Sequence, residues 1–500
     1  MHGLERGGEP LHKCVMTVSA NFLAQASDIL GSRGFTRDAD LMQPWLTDWR
    51  GRFTGAAIAL ASPASTQEVA ALVKLCGEHG VPIVPQGGNS GMCGGATPDE
   101  NGTALLLSLR RMDAVRSFEP QSRQITCEAG LVLQTLHDAV AAEGLRFPLT
   151  LGGKGSATVG GLISTNAGGT QVLRHGSMRA LVLGLEAVLA DGSVFSALTP
   201  LKKDNRGFDL KQMLIGSEGT LGIVTAATLR LVPAIAERRV IWAGVDSLAG
   251  ARELLLYCED AAGDALEGFE VMAQGTLDDV VDHLPDARPP LASQHKWHAL
   301  IELVAGAGEA DRLGSLSEDM LAGALEKGLL DDAVIAANET QAEAFWLLRD
   351  SIASAERAKG PAVQHDISVS VDRMPAFVEE AVPKLETAWP GAEAVAFGHL
   401  GDGNVHFHVI APPGVDPENW YRNDAKAISR QVYDMVTEWG GSISAEHGIG
   451  QLKTAELQRL GDPVALSMMR QVKRALDPAG ILNPGKLVDV DDANRTGSAG

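Results

Sequence analysis

Histidines and a glutamate in two short segments carry the clearest potential for chemistry in this sequence. His399 and His406 stand on either side of a turn at Asp402-Gly403, and Glu446 and His447 follow in the segment SAEHG, residues 444–448. Two histidines and one glutamate that leave a coordination position open are typical ligands of a catalytic divalent metal ion. Buried histidines on strands are more often satisfied core groups, and nothing in the sequence brings Glu446 beside the histidines. Both interpretations therefore stay open at this point.

A pair of strands has to position these histidines. We expect one strand over residues 395–397, a tight connection over 398–404 and a second strand over 405–410. Because side chains alternate along a strand, His406 and His408 share one face, and the apolar residues Val405, Phe407 and Val409 take the other.

Glycine clusters in two stretches, which suits the binding of a phosphate-bearing cofactor. The first, QGGNSGMCGG at 86–95, follows an apolar strand at 81–84, and the second spans 152–169. Backbone N–H groups without a neighbouring Cβ atom can approach and bind a pyrophosphate. One such stretch is equally consistent with a flexible surface loop, but two of them favour a dinucleotide cradle. The pattern lacks the Rossmann fingerprint, and we find no NAD site.

The surrounding elements alternate between helices and strands. Ser65 and Glu68 form a capping box for a helix that Gly80 ends, and a strand at 124–129 precedes a helix at 131–143. A further segment ends at Pro233, beyond which helical stretches mix with separate short strands. The sequence predicts an α+β protein in three parts: 1–233 with a leader of about 40 residues, 234–455, and a C-terminal segment 456–500 that returns to the first part and frays after Val490.

Composition argues against several classes of function. A formal net charge of −21 without a long Lys/Arg run argues against nucleic-acid binding. No stretch approaches the ~18 consecutive apolar residues of a membrane-spanning helix, so we expect no membrane span. The first fifteen residues lack the apolar run of a signal peptide, and the five cysteines are odd in number and scattered. Such cysteine usage fits a reducing compartment, and we expect a cytoplasmic protein.

Three strings resemble a known family. PQGGNSGMCGG (85–95), KGSATVGGLISTNAGG (154–169) and KKDNRGFDLKQMLIGSEGTLGIVTAATLRLVP (202–233) are similar to the FAD-linked oxidases of the vanillyl-alcohol oxidase fold, and within them to the D-2-hydroxyglutarate and D-lactate dehydrogenase-like family. The resemblance implies an FAD-binding domain made of two α+β parts, with an α+β cap domain over the flavin ring.

The resemblance also implies a set of FAD-binding residues. Glu218, Gly222 and Ile223 are expected near the adenine end of FAD, and Asn483 near the flavin ring. Some relatives attach the flavin covalently through a His or Cys in the first glycine stretch, where this chain has Asn89 and Ser90, so we expect non-covalent FAD. The pyrophosphate and the rest of the cofactor are assigned to Pro85, Gly87, Gly88, Asn89, Ser90, Gly91, Gly152, Ser156, Thr158, Gly160, Gly161, Asn166 and Gly169.

Two further motifs resemble those that hold a metal ion in this family. FGHLGDGNVHFH (397–408) and SAEHGIG (444–450) imply His399, His406 and Glu446 as ligands of Zn²⁺, or of Mn²⁺ or Fe²⁺, with His447 as the general base. A metal that binds the substrate hydroxyl lowers its pKa, so that an imidazole can take the proton while the C2 hydride leaves for flavin N5. The implied reaction is oxidation of a D-2-hydroxy acid.

The resemblance makes Arg349 a substrate residue, and Asn404 is a further candidate. Three positions depart from the dicarboxylate-specific relatives, because Ala353, Gln364 and His408 stand in place of Thr, Lys and Asn. Gln364 cannot supply the positive charge of Lys. We therefore expect a different or broader acid, such as D-lactate or a larger apolar D-2-hydroxy acid, with D-2-hydroxyglutarate still possible through Arg349 alone.

Two other functions stay open. One is a metal-free flavin oxidase of sugars or lactones, whose activity would survive EDTA. The other is a non-catalytic metal- or flavin-binding protein. The electron acceptor is left open between an electron-transfer flavoprotein, a quinone and O₂, and a homodimer is compatible with the sequence.

Overall fold

The computed structural model describes residues 19–201 and 203–490. The expectations for the residues before 19 and for the tail after Val490 lie outside this part of the chain. Within it, helices and strands build two α+β units followed by a helical C-terminal segment.

The first unit contains two main sheets. One has the strand order β1-β2-β4-β3, with β2, β4 and β3 parallel, and the other is antiparallel in the order β5-β6-β10-β8-β9, while β11 pairs with β7. The strands are β1 (Phe35–Thr36), β2 (Ala59–Ala61), β3 (Ile83–Gln86), β4 (Leu105–Ser108), β5 (Val115–Glu119), β6 (Gln124–Glu128), β7 (Leu145–Arg146), β8 (Val182–Val188), β9 (Val194–Ala197), β10 (Ile223–Arg230) and β11 (Val232–Pro233). The helices are α1 (Ala20–Gly34), α2 (Ala39–Met42), α3 (Thr66–His79), α4 (Leu133–Ala141), α5 (Val159–Thr165), α6 (Val172–His175), α7 (Met178–Leu181) and α8 (Lys211–Leu214).

Helix α3 shows how local sequence fixes these elements. The Ser65 hydroxyl accepts the backbone N–H of Glu68, whose own carboxylate accepts the N–H of Ala64 at 2.7 Å. Gly80 ends the helix in the left-handed conformation with φ +64°, which costs a residue without Cβ little. The cap at Ser65 and the helix end predicted from sequence are both confirmed, and Glu68 reaches back to Ala64 instead of to the N–H of Ser65 itself.

Both ends of the described chain pack into the first unit. Phe22 and Ala26 of α1 are fully buried in its core, so this part of the expected leader belongs to the folded unit. At the other end, Ile481 and Leu482 join the same core, and the Ile481 carbonyl accepts the N–H of Ile83 in β3 at 2.7 Å.

The second unit is built on an antiparallel sheet in the order β15-β12-β14-β13-β17-β18-β16. Its strands are β12 (Glu237–Val245), β13 (Leu266–Ala273), β14 (Trp297–Ala305), β15 (Asp332–Ile335), β16 (Ala362–Ser368), β17 (Glu393–His399) and β18 (Asn404–Ile410). Its helices are α9 (Leu248–Ala262), α10 (Gln274–His283), α11 (Ala310–Glu326), α12 (Glu339–Asp350), α13 (Ile352–Lys359), α14 (Met374–Ala388), α15 (Pro417–Asn423) and α16 (Ala425–Glu438), and α17 (Thr454–Leu460) and α18 (Pro463–Leu476) follow.

The two faces of this sheet bury different residues. One face, which includes Phe407, packs against α9, α11, α14 and α16. The other face, which includes Phe397, packs against α10, α12 and α13 at part of its width. The remainder of the second face carries the polar side chains described below.

No helix in the described part of the chain is long and apolar enough to cross a membrane. Cys76, Cys93, Cys127 and Cys258 are buried and free of disulfides.

An ion-pair network joins the two units. Glu267 on β13 is 3% exposed at its side chain, and its carboxylate accepts from Arg146 and, at 2.9 Å, from Arg174, both of the first unit. Burial alone would raise the pKa of Glu267, but hydrogen bonds from His175, Arg146 and Arg174 outweigh it and hold the pKa far below its usual range.

We expect Glu267→Gln to lower the free energy of unfolding at neutral pH by about 2 kcal/mol, because it leaves two partly buried guanidinium groups without their counter-ion. A depressed carboxyl pKa stabilises the fold above the pKa of the unfolded chain, ~4.3, so the difference from wild type should shrink as pH falls below that value. Urea unfolding at several pH values measures this, with the exposed Glu326→Gln as control. Equal midpoints for wild type and Glu267→Gln at neutral pH would contradict it.

Candidate metal and flavin site

Four neighbouring strands bring the polar side chains to one face of the second sheet. Glu270 of β13 pairs with His399 of β17, while on β16 Asp366 pairs with His406 and Gln364 with His408 of β18. Period-two alternation puts all of these side chains on the same face. The predicted hairpin is confirmed, with strands slightly longer than expected and a 3-10 turn at Leu400–Asp402 between them.

The three expected metal ligands converge. His399, His406 and Glu446 each offer a ligand atom within 4.8 Å of the others. His399 Nε2 lies 3.9 Å from Glu446 Oε1, and that oxygen is buried with no hydrogen-bond partner among the residues that the structure describes. A buried carboxylate oxygen without a donor is costly unless something binds it. The donor set and the spare oxygen fit a divalent cation.

Asp366 holds the segment that carries Glu446 and His447. Its Oδ2 accepts the backbone N–H groups of both residues at 2.9 Å, and Oδ1 accepts from Asn404 Nδ2 at 2.9 Å. Asp366 also belongs to a second set of possible ligands, together with Glu446 and His447. Sequence reasoning missed Asp366, whose only local signal is its place beside His365.

Glu270 is a second residue that sequence reasoning missed. Its side chain is 1% exposed, and its carboxylate accepts from His399 Nδ1 and, at 2.8 Å, from Arg349 Nε. A hydrogen bond to Nδ1 fixes the ring and leaves Nε2 facing Glu446, as metal-binding histidines require. Glu270 lies 129 residues from His399 in sequence, so only the sheet register reveals the pair.

The electrostatics of the cluster follow from burial and close charges. Burial alone would lower the pKa of His399, but Glu270 raises it to about 9. Burial, together with Asp366 and Asp402, raises the pKa of Glu446 to about 7 despite His399. Burial lowers the pKa of His406 and of His447. A divalent cation here would favour the deprotonated ligands and so reverse the first two shifts.

The expected substrate residues differ in whether their polar groups are already hydrogen-bonded within the protein. Arg349, at the end of α12, lies in the cluster, with its Nη2 buried and without a hydrogen-bond partner in the described part of the chain. Asn404 uses both amide hydrogens within the protein, on Asp366 and on the Ile367 carbonyl. His408 Nδ1 donates to Glu356 at 2.6 Å, and Gln364 accepts from Arg50, which sequence reasoning did not include.

The two glycine stretches pack against each other in the first unit. A Cβ atom on Gly87 would lie 2.3 Å from Thr158 Oγ1, and one on Gly88 would lie 1.7 Å from the Ser156 carbonyl oxygen. Thr158 Oγ1 is buried and lacks a partner among the described residues. Glycine at these positions is therefore required for the two stretches to pack against each other. This contact brings together the backbone expected to bind the pyrophosphate, which fits an FAD-binding cradle.

Several other expected cofactor residues line the same region. Asn89 and Asn166 have positive φ angles of 52° and 51°, conformations that expose backbone N–H groups in turns. Gly91 and Gly152 face open space, whereas Gly160 and Gly169 are in contact with Ala129 and Thr150. Pro85 lies within β3 next to Gly219, Ser90 lies near Gly153, and Gly161 lies near Thr158.

Glu218 and Asn483 correct one expectation. The Glu218 carboxylate accepts the backbone N–H groups of Ile449 and Gly450 at 2.8 and 2.7 Å, and Asn483 Nδ2 donates to the Glu218 carbonyl at 2.7 Å. The two residues are in contact, so the prediction that they lie at opposite ends of FAD is wrong. Glu218 anchors the segment after His447. Gly222 and Ile223 lie against the core, with Ile223 only 1% exposed.

We expect Gly88→Ala to weaken FAD binding by a factor of roughly 10 to 100, because the added methyl group must displace the backbone at Ser156. The ratio of flavin absorbance to protein absorbance after gel filtration measures the loss. Gly275→Ala, where a Cβ meets open space on a helix, is the matched control. Full flavin content in Gly88→Ala would show that this stretch is not the cradle.

Comparison with protein families assigns the two units. Residues 57–197 match the FAD binding domain model, and residues 235–487 match the model of FAD linked oxidases, C-terminal domain. The fold is shared with p-cresol methylhydroxylase, at a TM-score of 0.73 and 18% identity over 94% of this chain and 97% of that one. Fold and site thus define an FAD-binding flavoprotein with the vanillyl-alcohol oxidase architecture, as expected from the sequence motifs.

Comparison with individual relatives identifies the family within this class of flavoproteins. D-2-hydroxyglutarate dehydrogenase, mitochondrial, of Bos taurus is 38% identical over 477 residues, which is 94% of this chain and 84% of the relative. D-2-hydroxyglutarate dehydrogenase of Xanthomonas citri pv. viticola is 35% identical over 92% of this chain and 94% of the relative. The chain belongs to the D-2-hydroxyglutarate dehydrogenase family of FAD-linked oxidases, and it is a flavin-dependent oxidoreductase.

Proposed function

We propose that this chain oxidises a D-2-hydroxy acid to the 2-oxo acid by metal-assisted hydride transfer from C2 to non-covalently bound FAD. The observation that carries the proposal is the convergence of His399, His406 and Glu446 around a buried carboxylate oxygen that lacks a donor in the described part of the chain. The names of the relatives supply the class of substrate.

The residues around the cluster are proposed to have separate roles in substrate binding. Arg349 has a free buried Nη2 beside the ligands, where it is placed to hold the substrate 1-carboxylate. Glu270 fixes both Arg349 and His399. The ligand residues would orient the 2-hydroxyl and the 1-carboxylate of the substrate, so that its C2–H bond is held in a single orientation for hydride transfer.

His447 is proposed as the base. Burial lowers its pKa, so the ring is neutral at pH 7 and can accept the hydroxyl proton. Its Nδ1 lies 3.6 Å from Asp366 Oδ2, a carboxylate that stabilises the imidazolium once formed. When bound, FAD supplies the hydride acceptor, and Zn²⁺, Mn²⁺ or Fe²⁺ supplies the charge that acidifies the hydroxyl.

An electron-transfer flavoprotein or a quinone is proposed as the partner that reoxidises the flavin. A screen of D- and L-2-hydroxy acids with an artificial dye acceptor, with and without chelator, tests the function. We expect D-selective dye reduction that falls at least tenfold in EDTA and returns with divalent metal. Activity that survives complete metal removal would favour a metal-free flavin oxidase, and purification without flavin colour would favour a binding protein.

A further inference from the structure

A small polar cavity lies beside the proposed metal ligands and is not explained by them. It is lined by Arg50, Arg52, Met92, Gln364, His408 and His447, among others. Arg50 Nη1 donates to Gln364 Oε1 from a position 314 residues away in sequence. The absence of Lys at position 364 therefore does not leave this place without a positive charge, because a guanidinium from the first unit occupies it.

The cavity stands at a defined distance from the metal ligands. Gln364 and His408 are paired across β16 and β18, and so are Asp366 and His406, two residues further along each strand. Two residues of strand correspond to roughly 6.6 Å. A 2-hydroxy acid of four or five carbons spans such a distance, so a substrate held at the ligands by its first carboxylate would bring its far end to Arg50.

The charges around the cavity are unbalanced. Burial, followed by the nearby charges of Arg52 and Arg357, lowers the pKa of Arg50 to about 10. Within residues 19–201 and 203–490, none of the three guanidinium groups forms an ion pair with a carboxylate.

Three carboxylates lie close by, and each already accepts hydrogen bonds. Glu356 accepts from His408, and Asp48 accepts the backbone N–H groups of Phe53 and Arg50. Asp366, which also lines the cavity, accepts those of Glu446 and His447. Of the three arginines only Arg50 is partly buried, whereas Arg52 and Arg357 are exposed. Partly buried cations are normally paired, and an anionic group of a ligand would supply the partner of Arg50.

We propose that Arg50, supported by Gln364, is a specificity-determining residue that binds the second acidic group of a D-2-hydroxy dicarboxylate. The inference rests on the proposed function and deepens it by naming the substrate class. It is an alternative to the expectation, drawn from Ala353, Gln364 and His408, that the enzyme favours D-lactate or a larger apolar acid. Arg52, which is exposed at the edge of the cavity, adds attraction at its entrance.

Arg50→Met keeps most of the length of the side chain and removes its charge. With D-2-hydroxyglutarate as substrate and a dye acceptor, we expect kcat/KM to fall roughly 10- to 100-fold, the usual effect of losing a charged hydrogen bond. With D-lactate we expect less than a threefold change. Arg37→Met, at an exposed site, is the control, and flavin content and the melting temperature show whether each variant is folded.

A rescue variant separates a charge requirement from a packing defect. In Arg50→Met combined with Gln364→Lys, the positive charge returns to the same cavity from β16, and we expect at least half of the lost selectivity for the dicarboxylate to return. Equal losses for both acids in Arg50→Met, or no loss, would overturn the inference. A wild type that oxidises D-lactate at least as well as D-2-hydroxyglutarate would overturn it while the proposed function stands. Inactivity with every D-2-hydroxy acid would overturn both.

Discussion

Replacing Glu446 with Gln is expected to lower kcat/KM for the D-2-hydroxy acid by a factor on the order of 10³. The carboxylate is the anionic member of the ligand set, and Gln cannot provide its charge. Loss of outer partners of metal ligands already costs about 10- to 100-fold, so loss of a ligand should exceed that. Because Glu446 would bind the metal only through its side chain, the hydrogen bond from its backbone N–H to Asp366 should survive the substitution.

Two measurements make this result specific. Elemental analysis of the purified variant should show a loss of bound metal, whereas the flavin spectrum should stay close to that of wild type. Glu438→Gln, at an exposed position on α16, is the matched control and should behave like wild type. Wild-type metal content and activity in Glu446→Gln would rule out the proposed ligand set.

Replacing His447 with Asn is expected to lower kcat by roughly 10²- to 10⁴-fold, the range found when a general base is removed. His447 is the imidazole that lies outside the three-ligand set while sharing Asp366 and Glu446 as neighbours. Metal and FAD should both remain bound, and this distinguishes a base from a ligand. The residual rate should rise with pH more steeply than that of wild type, since hydroxide must then remove the proton.

The control for His447→Asn is the exposed His283→Asn. Single-turnover reduction of the flavin isolates the chemical step from reoxidation by the acceptor. If flavin reduction in His447→Asn were as fast as in wild type, another group would have to accept the proton. Asp366 would be the first candidate, because its Oδ2 lies 3.6 Å from His447 Nδ1.

The sequence alone predicts those parts of the fold and site that depend on neighbouring residues. Helix α3 is predicted by its caps Ser65 and Gly80, and the hairpin that carries the histidines is predicted by the alternation of side chains along one strand. The family motifs extend this to Glu446, whose approach to His399 no local pattern shows.

Contacts set by sheet register escape such reasoning. Glu270 meets His399 only because β13 pairs with β17, and Arg50 meets Gln364 because the first unit packs against the edge of the second sheet. The same limit applies to Glu218, which the family resemblance assigned to FAD, while its carboxylate accepts a backbone N–H from a residue 231 positions away. A side chain that acts on a distant backbone N–H leaves no periodic signal in sequence.

The segment after β18 that carries Glu446 has an anchor in each unit: Asp366 accepts N–H groups at its start, and Glu218 accepts those of Ile449 and Gly450. If the units moved apart, the segment would have to give up one anchor, and Glu446 would move away from either the two histidines or the first unit. Metal affinity and the closeness of the units are therefore thermodynamically linked, and each strengthens the other by the same factor. An ion bound here would stabilise the contact between the two units and would also act as a Lewis acid in the reaction.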